Sequence, residues 1–333
     1  MENQRRAIAL FSGGLDSLLA MKVVKDQGVD VVPINFVSHF FGGKNELAEK
    51  MASQIGLEVE YVDIKPIHTE IVKNPQFGRG KNMNPCIDCH GLMMQYSAEE
   101  LLEKFDADFI ISGEVVGQRP MSQNKEALNT VKNISGVKDL ILRPMCAKHL
   151  EPTLPEREGW VDREKLLDIQ GRSRRPQQAL AKKFGITEYP SPAGGCLLTD
   201  VNYSKRLKLI EQDGYLDEEF NDLFYLIRHG RFYRFDNGKY LFVGRSEADN
   251  EKIYEYREGA SIQIDTDKVA GPYILGFGEL NEEEIKFAKE LFSRYSKVKG
   301  KEKIDILVNG KAEPCEAVDL EQLNILIKKY QVQ

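Results

Sequence analysis

The stretch from Arg6 to Met21, RAIALFSGGLDSLLAM, changes character twice: an apolar run, then Ser-Gly-Gly-Leu-Asp-Ser at 12–17, then a helical pattern. Nothing else in the chain constrains the fold as much. A strand that turns through two glycines into a helix opens an α/β unit. Such a turn leaves consecutive backbone N–H groups at a helix N-terminus, where an anion binds. It is not the GxxxxGK[ST] loop, because no lysine stands beside the serine and the span from the first glycine is too short. Gly13 and Gly14 let the backbone approach a phosphate, and Ser12 and Ser17 add hydroxyl donors. Asp16 is out of place beside an anion unless it caps the helix or works with a cation.

The alternation continues downstream. Residues 30–37 (DVVPINFV) read as a strand, 44–56 as a helix and 58–63 (EVEYVD) as a strand. After a Gly/Asn/Pro-rich loop at 74–85, residues 87–105 read as a helix and 108–113 (DFIISG) as a strand. Short apolar strands alternating with amphipathic helices predict an α/β fold, a parallel sheet flanked by helices. Ligands sit at the carboxyl ends of such strands, which are the glycine turn, Val37-Ser38 and Gly113-Glu114. From Asp139 to Asp200 six prolines punctuate short elements, and the pattern changes beyond. A length of 333 residues allows about two domains, expected here at 1–200 and 201–333. In the second, 202–213, 216–229 and 281–297 read as helices and 303–308 as a strand. Asp236-Asn237-Gly238, between alternating aromatic and charged residues, signals a hairpin. The expected carboxy-terminal domain is a separate α+β module.

Five cysteines, an odd number, argue against a disulfide framework. No apolar run approaches the roughly 20 residues of a membrane span, and the polar start MENQRR is no signal peptide, so a cytoplasmic protein is expected. Cys86 and Cys89 form a C-x2-C at the start of a helix, and Cys196 follows Gly194-Gly195. Two such thiols can ligate a metal, and equally form a zinc half-site completed by His90 or Cys196. Cys146 and Cys315 lack any motif and are expected to be structural. The net charge of −6 does not advertise a nucleic-acid binder, but the average hides patches. Arg228, Arg231, Arg234, Lys239 and Arg245 face one acid, Asp236, over 228–245, a local net of +4. Arg172, Arg174, Arg175, Lys182 and Lys183 fall at the start and along one helix, a stripe suited to phosphate contacts.

The 12–17 stretch resembles the pyrophosphate loop of the ATP pyrophosphatases (the PP-loop, adenine nucleotide alpha hydrolase-like fold), which cleave ATP between the α and β phosphates. The resemblance implies that Ser12, Gly13, Gly14, Leu15, Asp16 and Ser17 hold the pyrophosphate, with Mg²⁺. It places the adenine near Phe36 and Val37 and puts Gly113 by the α-phosphate. Asn84-Pro85-x-x-x-Cys89, then DADFIISGE, then Cys196 after glycine, resembles the bacterial tRNA 2-thiouridine synthases over roughly residues 5–200. Two departures stand out: Glu114 occupies a position where those enzymes usually carry histidine, and Cys86 makes a third cysteine.

Three-cysteine thiolases of this superfamily hold a [4Fe–4S] cluster. The resemblance therefore implies Asp16, Cys86, Cys89 and Cys196 as catalytic residues, and the three cysteines as iron ligands. ATP, Mg²⁺ and the cluster follow as cofactors, and tRNA and a sulfide or persulfide donor as partners. A two-cysteine persulfide relay is the rival. Residues 230–333, with Phe235, Gly238, Val243-Gly244-Arg245, Asn250, Tyr295-Ser296-Lys297 and Lys303, resemble the RNA-binding domain of the NFACT proteins. That implies RNA contacts from Arg231, Arg234 and Arg245 beside exposed ring faces, in addition to Arg172, Arg174 and Arg175. A zinc-containing small-molecule ATP pyrophosphatase and a non-catalytic RNA-binding protein are the alternatives.

Overall fold

Ala7, Ile8 and Ala9 are buried in succession, which a strand achieves only when both faces of its sheet are covered. The computed structural model describes residues 4–119, 121–191, 196–236 and 238–332. The chain parts into two units, Met1–Asp200 and Val201–Gln333. The first runs β1 (Arg6–Leu10), α1 (Leu15–Lys25), β2 (Asp30–Val37), α2 (Glu46–Ser53), β3 (Glu60–Asp63) and α3 (Lys65–Lys73). It continues α4 (Cys86–Tyr96), α5 (Leu102–Lys104), β4 (Phe109–Ser112), α6 (Lys125–Ile134), β5 (Ile141–Leu142), α7 (Leu154–Arg157) and α8 (Arg175–Lys183). The five strands are parallel in the order β3-β2-β1-β4-β5. This is the helix-flanked parallel sheet expected. Chain order reverses between β1 and β4, and at that switch point a crevice opens at the carboxyl ends of the strands.

Local chemistry sets the element ends. Asn45 caps α2 by accepting from the Leu47 and Ala48 N–H groups, so this helix is shorter than 44–56. The expected helix at 87–105 is interrupted: Ser97 Oγ donates back to Met93 O, and Ser97–Leu101 form a π turn before α5. Helix α3 was not read from the sequence. It starts with Pro66 in its first turn, and Asp63 accepts from the Lys65 N–H. Strand β5 has two residues, too few to carry a periodicity.

The second unit contains α9 (Val201–Gln212), α10 (Asn221–Leu226), β6 (Arg231–Arg234), β7 (Tyr240–Val243), α11 (Glu247–Tyr254), β8 (Ile262–Asp265) and β9 (Ile274–Phe277). It closes with α12 (Glu282–Tyr295), β10 (Ile304–Val308), β11 (Lys311–Cys315), α13 (Leu320–Tyr330) and β12 (Gln331–Val332). Every pairing in its sheet, β11-β10-β8-β9-β7-β6-β12, is antiparallel. The helix expected at 216–229 is confined to α10, after a 3₁₀ turn at Glu218–Phe220. The hairpin pairs Arg234 with Tyr240 and Arg231 with Val243; Asn237 of its turn lies outside the described residues. One expectation is overturned here. The hairpin rings do not face solvent: Phe232, Tyr233, Phe235, Tyr240 and Phe242 are all buried. Tyr233 and Phe235 pack edge-on against Phe287 of α12, because alternate strand residues must cover a helix face.

Candidate active site

The loop between β1 and α1 is built to be open. Gly13 has φ +72°, which an L side chain rarely adopts, and Gly14 is the N-cap of α1 with no side chain bonded over the first turn. The leading N–H groups of the helix therefore remain free of a side-chain cap. Ser17 Oγ donates to Gly14 O at 3.0 Å and lies 3.5 Å from Ser12 Oγ, which keeps both hydroxyls at the turn. Leu15 is buried in the core, so only its backbone can meet a ligand. Gly113, just past β4, packs on this turn so closely that a Cβ there would lie 2.6 Å from the Ser17 backbone.

Asp16 does not cap the helix. Its Oδ2 accepts from Gln118 Nε2 at 2.6 Å and Arg174 Nη2 at 2.9 Å, while Oδ1 is buried with no hydrogen-bond partner. The cation beside Asp16 is thus Arg174, which the sequence reading assigned to the RNA stripe. Arg172 and Arg175 are exposed, but Arg174 turns inward.

One cavity of about 540 Å³ joins these groups. Its wall takes in Ser12–Ser17, Phe36, Gly113, Arg174 and all three motif cysteines. Two separate segments bring the three thiols there. Cys86 and Cys89 stand one turn apart at the start of α4, and Asn84 Nδ2 donates to Cys86 Sγ at 3.1 Å. Asp88, between them, accepts from the Gln76 and Phe77 N–H groups and so fastens the preceding loop. The Cys196 segment is tied down by Leu197 N–H to Phe40 O at 3.0 Å and by Asn82 Nδ2 to Thr199 O at 2.8 Å. Gly194 and Gly195 before it lie outside the described residues. Burial pushes the Cys89 thiol well up, and neighbouring Cys196 and Cys86 add to the shift. Burial raises Cys196 to about 11, opposed by the Leu198 N–H and by Arg119. The thiols are close enough to disfavour one another's ionisation. Among the described residues, however, no three His, Cys, Asp or Glu side chains converge where one metal ion could sit.

Val37 is not on this wall. Ile34, Asn35 and Phe36 of β2 line it, joined by Phe40 and Phe41. Two histidines also lie on the wall: His68, which sequence reasoning missed, and His90, which it offered only as a zinc partner of the C-x2-C pair. His68 is fully buried among Phe40 and Phe41, with both ring nitrogens unpartnered, and burial lowers its pKa to about 4. His90 Nδ1 lies 2.8 Å from Glu114 Oε1, and Arg143 Nε donates to Glu114 Oε2 at 2.8 Å. Burial opposes ionisation of Glu114, but Arg143 and His90 outweigh it and hold the carboxyl down at about 2. At a position where histidine was expected, a carboxylate therefore holds an imidazole arriving from α4. The C-x2-C-His run had offered His90 as a zinc partner; its Nδ1 is engaged with Glu114 instead.

In the second unit the arginines are partly committed. Arg234 forks onto Asp213, which also accepts from the Tyr240 hydroxyl. Arg231 stacks 3.9 Å over the Tyr295 ring. Arg245 donates to Gly230 O at 2.7 Å, yet over half of its side chain is exposed.

Residues 2–151 match the family described as thiamine biosynthesis protein (ThiI), and residues 230–326 match the NFACT protein RNA binding domain. The chain is 27% identical over 260 residues to "tRNA-specific 2-thiouridylase MnmA 2" of Thermoanaerobacter sp. (strain X514), covering 71% of this chain and 65% of that one. It is 27% identical over 192 residues to "Probable tRNA sulfurtransferase" of Thermococcus kodakarensis, covering 56% and 42%. Among solved structures, a 4-thiouridine synthetase–RNA complex with bound ATP aligns at 16% identity and a TM-score of 0.35, over 55% of this chain and 52% of that one. The match thus spans just under two thirds of the thiouridylase.

Proposed function

With an amino-terminal unit that matches ThiI and a carboxy-terminal unit that matches an RNA-binding domain, we propose that this chain is an ATP-dependent tRNA uridine thiolase. Residues 1–200 carry the chemistry and 201–333 bind RNA. The observation that carries the reading is a single cavity lined by both the Ser12–Ser17 loop and the thiols of Cys86, Cys89 and Cys196. An anion-binding turn beside thiols suits a reaction that activates an oxygen with ATP and then replaces it with sulfur. The relatives' names, a tRNA 2-thiouridylase and a tRNA sulfurtransferase, agree with it.

ATP lies with its pyrophosphate against the loop N–H groups and its adenine toward Phe36. A carbonyl oxygen of a flipped-out uridine attacks the α-phosphorus and pyrophosphate leaves. Sulfide then attacks the carbon that bears the adenylated oxygen, and AMP departs as that carbon–oxygen bond breaks; from a persulfide donor, a second cysteine thiol must also cleave the carrier's S–S bond and end in a disulfide. The chain's contribution is positioning and charge stabilisation. Asp16 Oδ1, buried and unpartnered, is the hard oxygen donor that Mg²⁺ takes, and the ion would share the phosphate charge there. Cys86, Cys89 and Cys196 would hold a [4Fe–4S] cluster, which when bound supplies an iron for delivering sulfide. The three thiols line one cavity wall, and thiolate sulfur is the ligand that iron–sulfur clusters take. Exposed Arg172, Arg175 and Arg245 are the cations for tRNA phosphates.

Mass spectrometry of tRNA nucleosides from a deletion strain tests the reading, alongside iron and sulfide analysis of anaerobically purified protein. One thiouridine should vanish and return with the wild-type gene but not with Cys89→Ala or Cys196→Ala. Full activity of Cys86→Ala would replace the cluster with a two-cysteine relay. Release of ADP rather than AMP would refute the reaction class.

A further inference from the structure

Arg174 stands between exposed Arg172 and exposed Arg175, yet its side chain leaves them and lines the cavity. Two residues of the α8 region converge on Asp16. Arg174 Nη2 bonds Oδ2 directly, and fully buried Gln177 donates to Gln118 Oε1 at 3.1 Å, while Gln118 Nε2 bonds the same Oδ2. The guanidinium has five N–H donors and uses one on a side chain among the described residues. Arg119 also lines the cavity wall, and its charge helps to lower the Cys196 thiol pKa.

We propose that Arg174 is a catalytic residue of ATP cleavage, a cation supplied from α8 to the phosphates rather than to RNA. The proposal rests on the reading of this cavity as an ATP-cleaving site. Arg174 neutralises the Asp16 carboxylate, which would otherwise sit largely buried without a cation. With ATP in the loop, its remaining N–H groups match phosphate oxygens in the planar fork that a lysine cannot reproduce. In the step itself, the bond from the α-phosphorus to the bridging oxygen breaks, and that oxygen leaves with both electrons on the pyrophosphate. The bond that forms joins the uridine carbonyl oxygen to the α-phosphorus, and the uridine N3 proton passes to solvent. Arg174 transfers no proton; it stabilises the charge that grows on the leaving pyrophosphate.

The test uses the full chain and compares Arg174→Ala and Arg174→Lys with wild type. AMP formation is measured against ATP at saturating tRNA, tRNA affinity at several salt concentrations, and thermal melting on each variant. Arg174→Ala should lower kcat for AMP formation by roughly 10²–10³-fold, the usual cost of one preorganised charge-stabilising donor. Its tRNA affinity and salt slope should be unchanged, and Arg174→Lys should recover only part of the rate. The proposal is overturned if AMP formation is intact while the slope of log affinity against log salt falls by about one unit, the signature of a phosphate contact on RNA. It is equally overturned if both variants lose rate only in proportion to lost folded protein. Should wild type release ADP, the functional reading fails separately; a normal rate of ADP release by Arg174→Ala would then sink the proposal too, and a slowed one would support it.

Discussion

Gly113→Ala offers the sharpest measure of how closely the sheet and the phosphate loop are fitted. A Cβ at 113 would lie 2.6 Å from both the N and Cα of Ser17 and 3.0 Å from the Asp16 carbonyl carbon. All three are backbone atoms, so no rotamer change relieves the contact. Ordinary contacts begin at 3.4 Å, so the end of β4 and the start of α1 must separate by about 0.8 Å. Overpacking of this kind costs about 1–3 kcal/mol. A displacement of ~1 Å at a reacting centre costs on the order of 10²-fold in rate. Gly14→Ala is the comparison: its φ is −101°, and the nearest atom to its Cβ is Ser12 Oγ at 3.3 Å, a side chain that can turn away. Chemical denaturation should show Gly113→Ala well below Gly14→Ala in stability, and AMP formation at saturating tRNA should show Gly113→Ala well below wild type in rate. Stability and turnover of Gly113→Ala within twofold of wild type would show that β4 does not brace the loop, and the reasoning would be wrong.

Further outcomes follow from the charges. Glu114 and Arg143 are both buried, so Glu114→Ala should destabilise by about 3–5 kcal/mol through the cation it strands. Because the Glu114 carboxyl is held at about 2, its contribution is complete above the ordinary carboxyl value near 4.3 and drains away as pH falls toward 2. Glu114→Gln should therefore flatten stability between pH 4.5 and 2, and an unchanged acid limb would contradict the assignment. In the second unit, Arg234→Ala leaves the nearly buried Asp213 carboxylate without its cation, so its melting temperature should fall with the tRNA salt slope unchanged. Arg245→Ala should instead reduce that slope by about one unit in a protein that melts normally; a reversed pattern would exchange the two roles.

Much of the fold was legible because local pattern and tertiary demand agree. β1 and β2 are apolar runs because they end up buried on both faces, and 12–17 reads as an anion turn because glycine backbone and helix polarity make one wherever they occur. The strand–helix alternation was sufficient to name a parallel sheet, and the change in pattern near Asp200 is where one unit of the structure ends. Cys86 and Cys89 could be paired on motif spacing, and Cys196 joined them through the family resemblance; all three line one cavity. What the linear chain could not convey is which way a side chain points when two neighbours of the same type diverge. Arg172, Arg174 and Arg175 look alike in sequence, but the Asp16 carboxylate, 158 residues from Arg174, draws only one of them inward. The same holds for the hairpin aromatics, which α12 turns into core, and for His90, whose meaning depends on Glu114 at the end of β4. Periodicity and turn chemistry act over a few residues and are written locally; burial and charge pairing are settled only when distant segments meet, and that meeting is what the tertiary structure decides.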